Sequence, residues 1–288
     1  MDSLLKLKVP YYPLASRFPR LRTGISPLDN GLLSNFSHDE VEGIRRNDPT
    51  AARFLRPLVG DKDLLHGERR WCLWLEGVDE STIKSSPELS RRVEALKKFR
   101  SNSKSKKTQQ WKDSSEMVTQ GKEAHKDYLA IPLNVNETYE YLPVTHLSSE
   151  VVANQTVGVI EEDEFFVAGI LSSRIFHLWK RTTLARFDIP AKMSTFALYQ
   201  TIPVPVMASE EQMEIEHNFE RVLRVRGNFM PNTLAELYSP RFKPDQLRQA
   251  HKRLNASIYK AYRFDEDISE EEICDQLFLL HQRLATAS

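Results

Sequence analysis

The sequence changes character at Pro203-Val204-Pro205, and this break constrains the fold more than any other feature. Prolines at this spacing stop the preceding segment, Phe196 to Ile202, and mark the edge of a domain. From Ser209 onward every segment has helical spacing: Glu210 to Arg226, Asn232 to Tyr238, Pro244 to Tyr262 and Ser269 to Leu284. Leu247, Ala250, Leu254, Ile258 and Ala261 recur at i, i+3, i+7, i+11 and i+14, one face of a helix. Pro244 sits at a first helical turn, and Ser269 with Glu272 forms a capping box. Residues 209–288 are therefore predicted to be a small all-helical domain.

Residues 1–208 read differently. Met1 to Gly31 is rich in proline and glycine, with P-Y-Y-P at Pro10 to Pro13, and is expected to be an extended arm with turns. Ser37 and Glu40 make a capping box for a helix that stops before Asp48-Pro49. Phe54 to Glu76 joins a Pro/Gly turn, a basic pair and a tryptophan-rich strand, Trp71 to Glu76. Leu89, Val93, Leu96 and Phe99 or Arg100 fall at helical spacing and call for an amphipathic helix over Glu88 to Lys107, with a polar stretch at Ser101 to Gln110. Strands are expected at Tyr128 to Leu133, Thr138 to Leu142 and Thr156 to Glu161, then a helix from Glu164 to Thr183. The fold class is α+β: a mixed α/β domain followed by helices.

Several functions are disfavoured on chemistry. Phe165 to Ile170 is too short an apolar run to span a bilayer. Met1 to Pro19 has no secretion-signal pattern, and Cys72 and Cys274 are too few for a disulfide framework, so a cytoplasmic protein is expected. Methyl transfer to a base amine needs a glycine-rich cofactor turn and an Asn/Asp-Pro-Pro-aromatic loop. Asn47-Asp48-Pro49-Thr50 lacks the second proline and the aromatic. No glutamate has a lysine two positions later, as a metal-dependent nuclease of that type requires, and Walker loops are absent. His66, His125, His146, His177, His217, His251 and His281 are scattered without metal-ligand spacing. Ser172 and Ser173 have no G-x-S-x-G elbow. The acidic clusters Glu161 to Glu164 and Asp265 to Glu272 lack the pattern of a calcium loop and read as solvated turns or helix starts. No catalytic residue, metal or cofactor is expected in the chain.

Charge is balanced overall, 40 Lys and Arg against 40 Asp and Glu, so any polyanion partner must be met by local segregation. Lys84, Arg91, Arg92, Lys97, Lys98, Arg100, Lys104, Lys106, Lys107 and Lys112 face only Glu88 and Glu94 before Asp113. Such a run suits phosphates, or else a solvated helix face leading into a polar loop. Arg174, His177 and Arg181 share a second stripe at i, i+3 and i+7. Beyond it, Leu184 to Thr195 is a loop whose Arg186, Asp188, Lys192 and Ser194 suit base edges, Arg or Lys for guanine and Asp for cytosine. A structural loop is equally compatible with these residues.

Several motifs in one order carry a resemblance: the Phe54 to Glu76 block, Y-L-A-I-P-L at Tyr128, F-F-V-A-G-I-L-S-S-R-I-F-H-L-W-K-R from Phe165, and S-T-F-A-L-Y-Q-T-I-P-V-P at Ser194 to Pro205. L-A-E-L-Y-S-P from Leu234 and P-D-Q-L-R-Q-A-H-K-R-L-N from Pro244 follow. Together, from about Pro19 to Leu284, they resemble the target recognition domain and terminal helical domain of MmeI-type (type IIL) restriction-modification enzymes. The match departs from the family pattern at Met193, Gln200, Ile202 and Val204, where tyrosine, asparagine, phenylalanine and tryptophan are usual. The resemblance implies a sequence-specific reader of double-stranded DNA. Its partner would be an adenine-N6 methyltransferase domain or subunit, and S-adenosylmethionine would be bound there. On this reading Arg186, Asp188, Lys192 and Ser194 read bases, while Lys104, Lys106, Lys107, Arg174, His177 and Arg181 contact phosphates. Two rivals stand beside it: a module binding RNA or an acidic protein, and a small nuclease with an unfamiliar site.

Overall fold

The computed structural model describes residues 18–117, 119–120, 123–135, 138–161, 165–186, 195–242, 244–265 and 267–286. In chain order the elements are β1 (Arg22–Thr23), β2 (Ser26–Pro27), α1 (His38–Asn47), α2 (Pro49–Ala52), β3 (Leu55–Val59), α3 (Asp61–His66), β4 (Arg70–Leu73), α4 (Glu80–Ser85), α5 (Pro87–Ser101) and α6 (Lys106–Gln109). Next come β5 (Thr119–Gln120), β6 (Tyr128–Pro132), β7 (Thr145–Leu147), β8 (Val152–Ala153) and β9 (Val157–Ile160). Helices α7 (Phe165–Leu171), α8 (Arg174–Arg186), α9 (Thr195–Thr201), α10 (Ser209–Gly227), α11 (Leu234–Leu237), α12 (Asp245–Tyr262) and α13 (Glu270–Thr286) complete the chain. The architecture is the expected α+β domain followed by helices.

The strands form an antiparallel sheet in the order β1-β9-β6-β7, a mixed sheet β4-β3-β8, and a β2-β5 pair. Every residue of β6 and of β9 is buried, which explains why both read as continuous apolar runs without alternation. The described part of the N-terminal arm is extended but not loose. Arg22–Thr23 pairs with β9, Ser26–Pro27 pairs with β5, and Leu21 and Ile25 are buried between them. Gly24 has no room for a β-carbon, because the carbonyls of Ala153 and Asn154 close over it.

Helix starts follow local chemistry. Ser37 accepts from the Glu40 amide and the Glu40 carboxylate accepts from the Ser37 amide, the expected box. Asp48 serves two helices. Its Oδ1 accepts from the Ala51 amide at 3.0 Å to start α2, and its Oδ2 accepts from Ser86 Oγ at 2.6 Å and the Glu88 amide at 3.0 Å to start α5. Burial opposes ionisation of Asp48, but these hydrogen bonds outweigh it and hold the carboxyl below its ordinary range.

Three expectations change in the structure. The helix expected over Glu88 to Lys107 ends at Ser101, and a single turn, α6, follows after a break. The helix expected over Glu164 to Thr183 is two helices. Ser172 Oγ donates to Leu142 O at 2.9 Å and Ser173 Oγ to Ile170 O at 2.6 Å, while Asn255 Oδ1 accepts from the Arg174 amide at 2.9 Å and starts α8. Thr138 to Leu142 is not a strand, because its tyrosines pack sideways onto the C-terminal helices. Tyr141 stacks on His251 with ring centroids 4.0 Å apart, and Tyr139 tilts against Tyr238 at 6.5 Å.

Two cores result. A smaller one, around Ile25, Phe36, Leu58, Cys72 and Leu96, lies between the mixed sheet, α1 and α5. A larger one runs from Leu129 and Ile131 on the antiparallel sheet through α7 and α8 into Ile215, Phe219, Leu254, Ile258 and Leu277 of α10, α12 and α13. Pro203 and Val204 are themselves buried, and Tyr262 Oη donates to the Pro203 carbonyl at 2.9 Å. The segment that breaks the sequence pattern is thus packed into the shared core.

At the centre of that core α7 crosses α10 at Gly169, where a β-carbon would stand 2.7 Å from Ile215 Cγ2 and 3.5 Å from Phe219 Cβ. Gly169→Ala forces the helices apart and is expected to destabilise the chain by roughly 1–3 kcal/mol. Urea unfolding followed by far-ultraviolet circular dichroism and by tryptophan fluorescence checks this. The two probes should shift together, since the recognition and helical parts share one core.

Candidate nucleic-acid interface

The basic run from Lys84 to Lys112 resolves into three kinds of cation. Some are neutralised: Lys84 pairs with Glu80 at 2.9 Å, and Arg91 and Arg92 share Glu88 at 2.8 and 2.6 Å. Arg92 also donates to Leu32 O and lies 4.3 Å over the Phe36 ring. Arg100 is fully buried. Lys98, Lys104, Lys106, Lys107 and Lys112 are exposed and form no ion pair among the described residues. Lys104 precedes α6, Lys106 and Lys107 lie on it, and the buried Thr108 anchors its inner side.

The stripe on α8 is arranged otherwise. Arg174 makes a two-nitrogen contact with Glu270 Oε1 at the start of α13 and lies 3.7 Å from Glu140. Arg181 reaches the other oxygen of the same carboxylate at 2.8 Å. The Arg174 guanidinium, with Arg181, holds the Glu270 carboxyl below its ordinary range despite partial burial. His177 is half-buried, and burial, reinforced by the Arg174 charge, keeps it below the usual imidazole value, so it is neutral at pH 7. The expected stripe exists, but its two arginines join the recognition part to the helical part through one glutamate.

Arg186 closes α8, and its side chain lies outside the described residues. Asp188, Lys192 and Ser194 lie outside them as well. The structure therefore brings Arg174 and Arg181 together on Glu270, and leaves Lys104, Lys106 and Lys107 exposed on and just before α6.

Other groups are committed to packing. Ser172 and Ser173 are buried and donate to main-chain carbonyls. Cys72 and Cys274 are buried free thiols, and burial pushes Cys72 up to about 12. Among the described residues no group of three or more His, Cys, Asp or Glu is arranged to hold a metal ion. None of the described helices is long and apolar enough to cross a membrane. An open groove along α10 and α12 carries Lys252, Arg253, Lys260 and Arg263, of which Lys260 pairs with Glu214 and Arg263 with Glu211.

Comparison with known proteins decides the family. The family model of the MmeI target recognition domain matches residues 12–206, and that of the MmeI C-terminal domain matches residues 207–287. The chain belongs to the MmeI family. It is 28% identical over 269 residues to DNA methyltransferase A of Bacillus subtilis (strain 168), a match covering 93% of this chain and 30% of that protein. It is also similar to the solved structure of the Type IIL restriction-modification enzyme MmeI in complex with DNA. There the TM-score is 0.83 at 27% identity, covering 93% of this chain and 36% of that one. The chain thus spans about a third of the length of these relatives.

Within this MmeI module, two contributors were not singled out from sequence. Glu270 sits in the acidic Asp265 to Glu272 cluster, which does start a helix but also holds two arginines from α8. Trp111 is 40% exposed beside the free lysines. Arg100 stands in the sequence both among the cations of the basic run and, as the alternative to Phe99, on the Leu89, Val93, Leu96 face; the structure buries it on that face.

Titration offers a test of the shared packing. His251 is pushed down to about 3 by burial and then by the Arg226 charge, and its Nε2 faces Tyr238 Oη at 2.9 Å. An unfolded imidazole titrates near 6.5, so the unfolded state binds the extra proton between these values. Stability is full above about pH 6.5 and falls as pH drops toward 3, with a slope of up to about 1.4 kcal/mol per unit. Glu270, with its lowered carboxyl, adds a loss below the ordinary carboxylate range. Urea midpoints measured from pH 7.5 to 4 should show this decline, and His251→Gln should flatten it between pH 6.5 and 5.

Proposed function

We propose that this chain is the specificity module that docks on duplex DNA for an adenine-N6 methyltransferase, with S-adenosylmethionine and the methyl-transfer chemistry housed in a partner domain or subunit. The observation that carries the reading is the set of exposed lysines Lys104, Lys106 and Lys107, unpaired among the described residues, on a chain whose formal charge is zero. Membership of the MmeI family and similarity to a DNA-bound relative support it. Most other cations of the basic run already have partners, so the unpaired lysines supply the local field that attracts phosphate. Each phosphate neutralised releases counterions and adds about 0.9 to the salt slope.

Base reading is assigned to Arg186, the last residue of α8, and to Asp188, Lys192 and Ser194, which follow it in the chain. Arg and Lys donate to guanine O6 and N7 in the major groove, and Asp accepts from cytosine N4. Arg174 and Arg181 would join the phosphate grip only by exchanging the Glu270 carboxylate for a phosphate, so their first duty is to brace the reader, and His177 between them would contribute as a neutral ring. The setting of such a methyltransferase is the cytoplasm.

Duplex binding measured against salt and sequence tests the reading. The full chain should bind duplex with a steep negative salt slope, and Lys106→Ala with Lys107→Ala should flatten that slope by up to about 2 while weakening all sequences alike. Asp188→Ala or Lys192→Ala should instead change preference at one base pair, by roughly 1–3 kcal/mol. Equal affinity for RNA or for an acidic polypeptide would favour a general polyanion binder, and no duplex affinity at low salt would end the proposal.

A further inference from the structure

The lysine-bearing segment is not free of the protein body. Arg100, with 0% exposure, lies in the last turn of α5 and turns inward. Its Nε donates to Leu28 O at 3.0 Å, Nη1 to Ser114 O at 2.9 Å and Trp111 O at 3.3 Å, and Nη2 to Glu116 O at 2.9 Å. Among the described residues no carboxylate hydrogen-bonds with it; main-chain carbonyls meet the buried charge, and the buried Asp29 carboxylate favours it from nearby. A planar guanidinium presents five donors in a fixed fork, which a lysine cannot reproduce. The contacts cross-link the N-terminal segment, the end of α5 and the 111–116 stretch at one point. Glu116 Oε1 adds a contact from the Gly77 amide at 3.3 Å, and Met117 is buried just beyond.

What this anchor holds in place is a large aromatic side chain beside unpaired cations. Trp111 is 40% exposed, directly follows Gln110 at the end of α6 and precedes Lys112. Its amide donates to Thr108 O at 3.1 Å, so the indole sits on a fixed turn, with Lys106, Lys107 and Lys112 exposed on the same short stretch. A solvated polar loop has no need of either a buried arginine anchor or an exposed indole. Aromatic rings and flanking cations are the pair of groups that grips a nucleic-acid strand, the ring on sugar or base and the cations on phosphate.

We propose that residues 103–112 form a preorganised DNA-backbone clamp in which Trp111 packs against the nucleotide between phosphates held by the lysines, and that Arg100 is its positioning residue. This rests on the duplex-binding reading above. It adds a sequence-independent contact made by an uncharged side chain, and this distinguishes it from the lysine contribution. Fixing the clamp before binding lowers the entropy lost on association.

The test uses the full chain and a short duplex of arbitrary sequence. The difference in emission between the unsubstituted chain and Trp111→Phe isolates Trp111, and that component should be quenched on duplex addition. Trp111→Ala should lower affinity for every duplex by about tenfold, with an unchanged salt slope and an unchanged urea midpoint. Arg100→Lys keeps the charge but loses the fork. It should raise acrylamide quenching of Trp111 in the free protein and weaken duplex binding several-fold. If steep, salt-dependent binding is present but Trp111 emission does not respond and Trp111→Ala binds like the unsubstituted chain, the clamp is wrong and the duplex reading stands. If Arg100→Lys unfolds the chain, the Trp111 variants alone decide. Absence of any duplex binding removes both.

Discussion

The crossing of α7 and α10 at Gly169 leaves no space for a β-carbon, and the rest of the molecule is organised by that approach. Two helices meeting so closely bury Ile215 and Phe219 completely and bring Leu254 of α12 against the same glycine. From there one apolar core runs back to Leu129 and Ile131 on the antiparallel sheet. The target recognition and C-terminal modules are separable as sequence families, but neither closes this core alone. Close packing makes the orientation of the recognition module a property of both.

The polar contacts across the same boundary reinforce that orientation. Glu270 takes Arg174 and Arg181 on its two oxygens, Asn255 starts α8, and Tyr262 holds the Pro203 carbonyl. Exposed ion pairs contribute little singly, but a carboxylate shared by two guanidinium groups fixes geometry as well as charge. The helix preceding the segment assigned to base reading is thereby held at its start and along one side by the C-terminal helices. A reader must be placed to within a fraction of a hydrogen-bond length, and such bracing is what permits it.

Much of this was legible in the sequence where the governing forces are local. The capping boxes at Ser37 and Ser269, the apolar face of α12 and the buried strands β6 and β9 arise from interactions within a few residues or from plain hydrophobic density. The failures share a non-local cause. Thr138 to Leu142 has strand-forming tyrosines, but Tyr141 finds a better surface on His251, far along the chain. The break at Ser172 and Ser173 depends on Leu142 and Asn255. The N-terminal arm reads as extended, and only its pairing with β9 and β5 shows that it is embedded.

The same limit governs the candidate interface. A sequence shows where cations are but not which of them remain available to a polyanion, because pairing joins residues such as Arg174 and Glu270 that are 96 positions apart. Subtracting the internal partners changes the electrostatic picture of this neutral chain. The α8 arginines are taken up by one carboxylate, Arg100 by carbonyls, Arg91 and Arg92 share Glu88, and the residual field comes from the lysines around α6. Partnered arginine and unpaired lysine thus divide the work. Arginine, with its rigid fork, shapes the protein, and lysine, with its hydrated mobile charge, is left for a partner whose phosphates need charge more than geometry.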